Sequence, residues 1–175
     1  MKIEDIIINI INYLQVPVGR HLYGVIGDYD SLVIFEEKIK EASLNNGEKF
    51  TPPISINESI IEAFSDDEFR KIVEEEAKRP EPTRASIKNM FEKTIRGKLD
   101  QYGTILLKDL ELIFIYDIDF SIFRTFATDN HRIILLLPGK RSMGRIIMYP
   151  NSKHDFSLPQ NLIADNHIWE ITKNE

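Results

Sequence analysis

The chain of 175 residues contains no cysteine. This absence excludes disulfides, thiolate zinc sites, iron–sulfur clusters and a cysteine nucleophile. The sequence also lacks an apolar run near the 18 or so residues that a membrane span needs. Its first residues, Met1 to Asp5, carry acid where a signal peptide carries basic residues. We therefore expect a cytoplasmic protein that has no membrane partner.

Several active-site patterns are missing as well. The four histidines do not follow one another at the HxH or HxxxH spacing of metal ligands, and the GxSxG nucleophile elbow is absent. These observations predict neither a catalytic residue nor a metal ligand. The histidines are His21, His131, His154 and His167.

Charge and length set further limits. The net charge of −6 argues against a broadly basic surface, so direct and extensive contact with nucleic acid is not expected. A chain of this length with 42% hydrophobic residues suits one domain with a sizeable core. We predict a single α/β domain over residues 1–175, with an N-terminal helix in 1–16 and a sheet with covering helices in 21–172.

The stretch from Tyr102 to Gly139 is predicted to form the central strands of the fold. Two nearly continuous apolar runs, Gly103 to Leu107 and Arg132 to Leu137, flank a segment that suits a short helix, and the second run ends at Pro138-Gly139. Such runs are typical of parallel strands covered on both faces. We therefore predict a three-layer α/β fold with a mainly parallel sheet. Open α/β sheets bind ligands at the carboxyl ends of their strands, which indicates where to look for a site.

The remaining elements follow from apolar spacing and from breaking residues. A first strand over His21 to Gly27 should lead through a glycine turn to a helix capped by Asp30 or Ser31. The other predictions are helices over Lys2 to Leu14, Asp66 to Lys78 and Thr83 to Leu99, and strands over Phe50 to Ile56, Ile146 to Tyr149 and His167 to Thr172.

The turn after the first strand is the first candidate site. A phosphate loop uses glycines to turn backbone amides towards the phosphate, a lysine, and a Ser or Thr hydroxyl for magnesium. Gly24, Gly27 and Ser31 supply the glycines and the hydroxyl, but the lysine is missing. Asp28 and Asp30 would repel a phosphate. Both an ordinary strand-to-helix turn and a weak nucleotide site fit these residues.

An acid group after the central strand is the second candidate. Asp109 with Glu111, and Asp117 with Asp119, have the spacing of two that places side chains on one face of a strand. Carboxylates gathered in this way bind magnesium or activate water. Solvated loop acids near helix starts would show the same sequence pattern.

The basic turn after Pro138-Gly139 is the third candidate. It contains Lys140, Arg141 and Arg145. Such residues at the carboxyl end of a strand can hold phosphates or the acidic side chains of a partner. Charged turns are also normal on any protein surface.

Several stretches carry a resemblance to a known family. They are the glycine turn after Leu22-Tyr23, Ile54 to Ile61 and Ile105 to Phe114, and Asn130 to Arg132, Pro138-Gly139 and Tyr149-Pro150 with His154. Together they resemble a small P-loop protein of the BREX bacterial phage-defence systems. The likeness covers most of the chain from His21 to Ile171.

This resemblance implies a P-loop NTPase-like fold and, as partners, other proteins of the defence system. The family's Gly-Lys-Ser/Thr ending of the phosphate loop cannot be placed, and its strand-ending aspartate falls on Lys108. The chain thus resembles a degenerate member, non-catalytic or weakly nucleotide-binding, that acts through protein contacts. The residues implied for nucleotide are Gly24, Gly27, Ser31, Asp109 and Glu111.

Two alternative functions remain open. One is an active ATPase with an atypical phosphate loop that uses Gly27, Ser31 and Asp109. The other is a magnesium-dependent nuclease or phosphohydrolase that uses the four acids of the second candidate site. ATP and magnesium are the candidate cofactors in the first case, and magnesium in the second.

Overall fold

The computed structural model describes residues 1–44, 46–76, 78–154 and 156–172. These residues form seven α-helices, a short 3-10 helix (Asp165–His167) and seven strands. The helices are α1 (Ile3–Leu14), α2 (Tyr29–Glu41), α3 (Ile56–Glu62), α4 (Asp66–Glu76), α5 (Pro80–Tyr102), α6 (Glu111–Ile115) and α7 (Ser121–Phe126). The strands are β1 (Leu22–Gly27), β2 (Ile54–Ser55), β3 (Thr104–Lys108), β4 (Arg132–Ser142), β5 (Arg145–Met148), β6 (Phe156–Leu158) and β7 (Ile168–Glu170).

Five of the strands form a parallel sheet in the order β2-β3-β4-β1-β7. In the register of this sheet Ile133 of β4 lies opposite Leu22 of β1 and Ile105 of β3. The far half of β4 pairs with β5, and β5 with β6, in an antiparallel extension. The sheet confirms the predicted α/β class with mainly parallel strands.

Alternating side chains of the strands build a core on each face of the sheet. Tyr23 and Val25 of β1 pack against α1 and α2, together with Ile134 of β4. Leu22 and Ile26 of β1 belong to the larger core on the opposite face, which α3, α5, α6 and α7 cover. Successive side chains of a strand point to opposite faces, so these apolar runs need cover on both sides. The result is a three-layer fold.

The chain leaves β1 and β4 on opposite faces of the sheet. From β1 it passes to α2 on one face, whereas after β4 it reaches Leu162 and Ile163 in the core of the other face. Neighbouring strands whose connections diverge in this way define the place where open α/β sheets most often bind ligands. We call this end of the parallel strands the carboxyl edge, and the opposite end the amino edge.

The prediction that the strand from Arg132 stops at Pro138-Gly139 is wrong. Strand β4 continues to Ser142 because it exchanges its neighbour β1 for β5. Gly139 makes this possible: a Cβ atom at this position would lie 2.3 Å from the backbone oxygen of Ile147. A glycine read as a breaker therefore permits a close backbone approach.

Other element boundaries also differ from expectation. The strand predicted over Phe50 to Ile56 is limited to β2, and helix α5 begins at Pro80, three residues before the predicted start at Thr83. Proline suits the first turn of a helix because its missing N–H would have no partner there. The segment between β3 and β4 forms two short helices, and β6 was not predicted.

Candidate functional site

The junction between β1 and α2 is a single residue, Asp28. Its carboxylate caps the helix by accepting a hydrogen bond from the backbone N–H of Ser31 at 2.8 Å. The predicted caps, Asp30 and Ser31, both lie within the helix. An N-terminal N–H of a helix is the kind of group that binds phosphate. Here the chain's own carboxylate occupies it.

The glycines of the first candidate site serve packing. Gly24 lies within β1, where a Cβ atom would approach the side chains of Ile163 and Leu137 at 3.0 Å each. At Gly27, the last residue of β1, a Cβ atom would lie 3.2 Å from Ile171. Gly27 and Ser31 are thus brought together at the carboxyl edge, and Gly24 stands three residues inside the sheet.

Lys108 ends β3 and pairs with α2. Its Nζ atom donates a hydrogen bond to Glu36 Oε2 at 3.0 Å, and the side chains are 34% and 14% exposed respectively. Burial by itself would lower the pKa of Lys108, but the hydrogen bond and charge of Glu36, with the charges of Asp109 and Glu58, outweigh it and raise the pKa. The lysine is therefore fixed as a charged partner of Glu36.

Asn57 joins the two acids that follow β3. Its backbone N–H donates to the carbonyl oxygen of Asp109 at 3.2 Å, and its side-chain Nδ2 donates to Glu111 Oε2 at 2.7 Å. Its Oδ1 accepts from the N–H of Leu112 at 3.1 Å. Asp109 adopts a left-handed backbone conformation with φ of 53°. Asp109 and Glu111 therefore share one corner of the carboxyl edge.

Two tyrosines complete this corner. The hydroxyl of Tyr149 accepts a hydrogen bond from the N–H of Leu110 at 3.1 Å. Burial, and next the charge of Glu111, raise the pKa of Tyr149. Burial also raises the pKa of Tyr29, with further contributions from Glu111 and Asp109. Both phenols therefore remain neutral donors or acceptors at neutral pH.

The four acids of the second candidate site do not form one group. Helix α6 begins at Glu111, and it lies between Asp109 and the later acids, Asp117 and Asp119, along the chain. Asp119 is held locally just before α7, since its carboxylate accepts hydrogen bonds from the backbone N–H and the hydroxyl of Ser121. Within the described ranges, no group of three or more His, Asp or Glu side chains is placed to hold a metal ion.

The basic turn is a hairpin beyond the parallel sheet. Lys140 and Arg141 lie on the antiparallel half of β4, and Arg145 begins β5. Arg141 donates to the carbonyl oxygen of Ile168 at 3.5 Å and lies 3.9 Å from a carboxylate oxygen of Asp165. This turn thus belongs to the antiparallel extension, whereas Asp109 follows β3 of the parallel sheet.

Sequence reasoning missed the residues that organise the carboxyl edge. Glu36, Asn57 and Tyr149 contact residues at least 39 positions away in the chain. Asn57 and Tyr149 fall within the stretches that carry the family resemblance, which was the only signal for them. Glu36 carried none, because it looks like any charged residue of a helix.

The fold and its edges thus define a three-layer α/β domain. Comparison with models of protein families, with curated proteins and with solved structures gave no match. Among the described residues, no helix has the length and apolar character to cross a membrane.

Proposed function

We propose that the chain is a non-catalytic, P-loop-like component of a bacterial anti-phage defence complex, and that it acts through protein contacts. The observation that carries the absence of catalysis is the one-residue junction at Asp28, whose carboxylate caps α2. The defence assignment rests on the sequence resemblance to BREX proteins.

The charges at the carboxyl edge support this proposal. A phosphate at the start of α2 would have to displace the carboxylate of Asp28 from the N–H of Ser31 and would also face Asp30 in the first turn. The nearby cation, Lys108, is paired with Glu36. Phosphate binding at a helix end needs open N–H groups and positive charge. Binding of nucleotide here is therefore weak at most.

Helix α4 supports a role in protein contacts. None of its residues is buried, and six of its eleven residues are acidic. Phe69 and Val73 are four positions apart, so they share one face, and they are 42% and 55% exposed. The hydroxyl of Tyr116 donates to Glu76 and ties the end of this helix to the domain. Exposed apolar side chains within a charged rim are typical of a docking surface.

A thermal-shift titration tests the nucleotide part. We expect no shift with millimolar ATP, ADP or GTP, with or without magnesium. A nucleotide at 100 times its Kd would stabilise the fold by about 2.7 kcal/mol and raise Tm by a few degrees. A saturable, magnesium-dependent shift of the unaltered protein would replace this proposal with the active ATPase. Asp28→Ser keeps a capping oxygen without the charge, so a shift gained only in this variant would identify the carboxylate as the excluding group.

Co-purification tests the protein-contact part. We expect the double variant Phe69→Ser, Val73→Ser to lose its partner when it is co-expressed with other proteins of the defence system. Val33→Ser is the matched control, since Val33 is equally exposed on α2, on the other face of the sheet. Equal recovery of a partner by the double variant and the control would exclude α4 as the contact.

A further inference from the structure

His21 and Arg132 lie side by side at the amino edge of the sheet. Leu22 pairs with Ile133 in the register of β1 and β4, which sets His21 beside Arg132, and the N–H of Ile133 donates to the carbonyl oxygen of His21 at 2.8 Å. Because side chains alternate along a strand, both residues face the side that α1 and α2 cover.

These two residues carry unpaired buried nitrogen atoms. Among the buried side-chain N and O atoms of the described residues, only His21 Nε2 and Arg132 Nε have no hydrogen-bond partner. His21 is 2% exposed, and its Nδ1 is 2.7 Å from the hydroxyl of Tyr23. Within the described ranges, no carboxylate pairs with Arg132.

A buried guanidinium Nε–H that has no acceptor is unusual. Folded proteins normally give a buried N–H a hydrogen-bond partner, since an unsatisfied one costs about 1–3 kcal/mol. Burial, and next the charge of Arg132, lower the pKa of His21, which agrees with a locally positive environment. The Nε–H of Arg132 therefore lacks an acceptor, which an anion would supply.

A cavity of about 300 Å³ adjoins Arg132. Its walls come from the end of α1, from the segment after α2 and from the first residues of β3 and β4. The apolar part is formed by Ile11, Leu14 and Leu44, and the polar part by Gln15, Asn46 and Arg132. This volume is at the small end of the range for ligand sites, and an apolar wall with a single fixed charge is typical of them.

We propose that this cavity binds a small organic anion, a carboxylate or a phosphate ester with a compact apolar body. The guanidinium of Arg132 offers paired N–H donors, which match the two oxygen atoms of a carboxylate or phosphate. The apolar wall takes the body of the ligand. The site is at the opposite edge of the sheet from Asp28, so it is independent of the function proposed above.

Titration of the whole chain at low salt tests this site. The probes are benzoate, phenyl phosphate and inorganic phosphate, with benzyl alcohol as the neutral control, and binding is followed by calorimetry and by amide chemical shifts. We expect saturable binding of an aryl anion, with shifts at Leu44 and Asn46 and none from benzyl alcohol. Preference for benzoate or for phenyl phosphate distinguishes a carboxylate site from a phosphate site.

Variants of Arg132 and Gln15 test whether the Arg132 guanidinium binds the probe. Arg132→Met should weaken binding about tenfold or more, since a charged hydrogen-bond partner is lost. Arg124→Met is the matched control, because Arg124 lines a separate cavity on the opposite face of the sheet. Gln15→Glu alters an exposed residue, so it should fold, and its carboxylate should compete with the probe for Arg132.

Two results would overturn the proposal. One is the absence of binding by every probe up to about 10 mM, a concentration at which even millimolar affinity would be saturated. The other is probe binding that is as strong in the Gln15→Glu and Arg132→Met variants as it is in the control variant Arg124→Met.

Discussion

At the carboxyl edge of the sheet, Lys108 donates to Glu36 at 3.0 Å and Asp28 accepts from the N–H of Ser31 at 2.8 Å. At the amino edge, Arg132 has neither an ion pair nor a hydrogen bond to its buried Nε within the described residues. The two edges belong to the same strands, yet Lys108 and Asp28 at one edge have partners within the protein, whereas Arg132 at the other has no acidic partner among the described residues.

This difference shows that the usual location of a ligand site in a fold need not have free groups to bind a ligand. Open α/β sheets bind ligands at their carboxyl edge because helix N-termini and strand ends converge there. In this chain the convergence is present, but side chains of the protein take the places of a ligand. Fold alone therefore does not indicate function, and the unsatisfied groups at the amino edge are the stronger indication of a ligand.

The largest expected effect comes from disturbing the backbone at the carboxyl edge. Gly139→Ala would bring a Cβ atom to 2.3 Å from the oxygen of Ile147, so strands β4 and β5 must separate. We expect a loss of about 3 kcal/mol in the free energy of unfolding, measured by urea denaturation.

Gly97→Ala is the control for this substitution. Gly97 lies within α5, and a Cβ atom there would meet nothing within 4 Å. Alanine should stabilise the helix by about 0.5–1 kcal/mol. Similar losses in both variants would show that the contact with Ile147 does not govern the stability of the hairpin.

Removal of one cation from each edge should affect the free energy of unfolding differently. Lys108→Met leaves Glu36, which is 14% exposed, without its partner, and we expect a loss of about 1–2 kcal/mol in the free energy of unfolding. Arg132→Met removes a charge that has no partner, so stability without ligand should stay the same or increase.

The double variant Lys108→Met, Glu36→Gln checks the cause of this difference. It should recover much of the loss, because the unpaired carboxylate is gone. Equal losses from Lys108→Met and Arg132→Met would contradict the contrast between the edges.

The smallest expected effect is in the pH dependence of stability. Burial, and next the charges of Arg132 and His167, lower the pKa of His21, although Asp129 opposes them. Below the unfolded value of about 6.5 the unfolded chain binds more protons than the folded one. Stability is therefore complete above pH 6.5 and declines as the pH falls, until the folded pKa is passed.

His21→Gln should reduce this decline, as measured by the midpoint of urea unfolding between pH 5 and 8. Burial also lowers the pKa of His167, so a second substitution, His167→Gln, should reduce the decline further. A decline unchanged in both variants would mean that neither histidine ring is responsible.

Much of the fold could be predicted because its signals are local. Six of the seven isoleucine and leucine residues of α1 repeat at helical spacing, and the apolar runs of β1, β3 and β4 are continuous. The end of β4 was mistaken because Pro138 and Gly139 normally interrupt a strand. Whether they do so here depends on β5, which approaches from later in the chain.

The candidate site was less predictable. The sequence drew attention to the carboxyl edge and to Gly27, Ser31, Asp109 and Glu111. The structure brings Gly27 close to Ser31, and Asp109 close to Glu111. The sequence could not indicate that Asp28 caps the start of α2, because an aspartate that caps a helix and one that faces solvent give the same sequence signal.

By itself, the sequence determined the layers of this protein, because apolar spacing decides which faces of helices and strands must be buried. It also excluded disulfides and thiolate chemistry, since cysteine is absent. Only the tertiary structure decided which charges are paired: Lys108 meets Glu36 across 72 positions, whereas Arg132 meets no acid in the described chain. Such pairing depends on where whole helices lie against the sheet, and no local pattern records that placement.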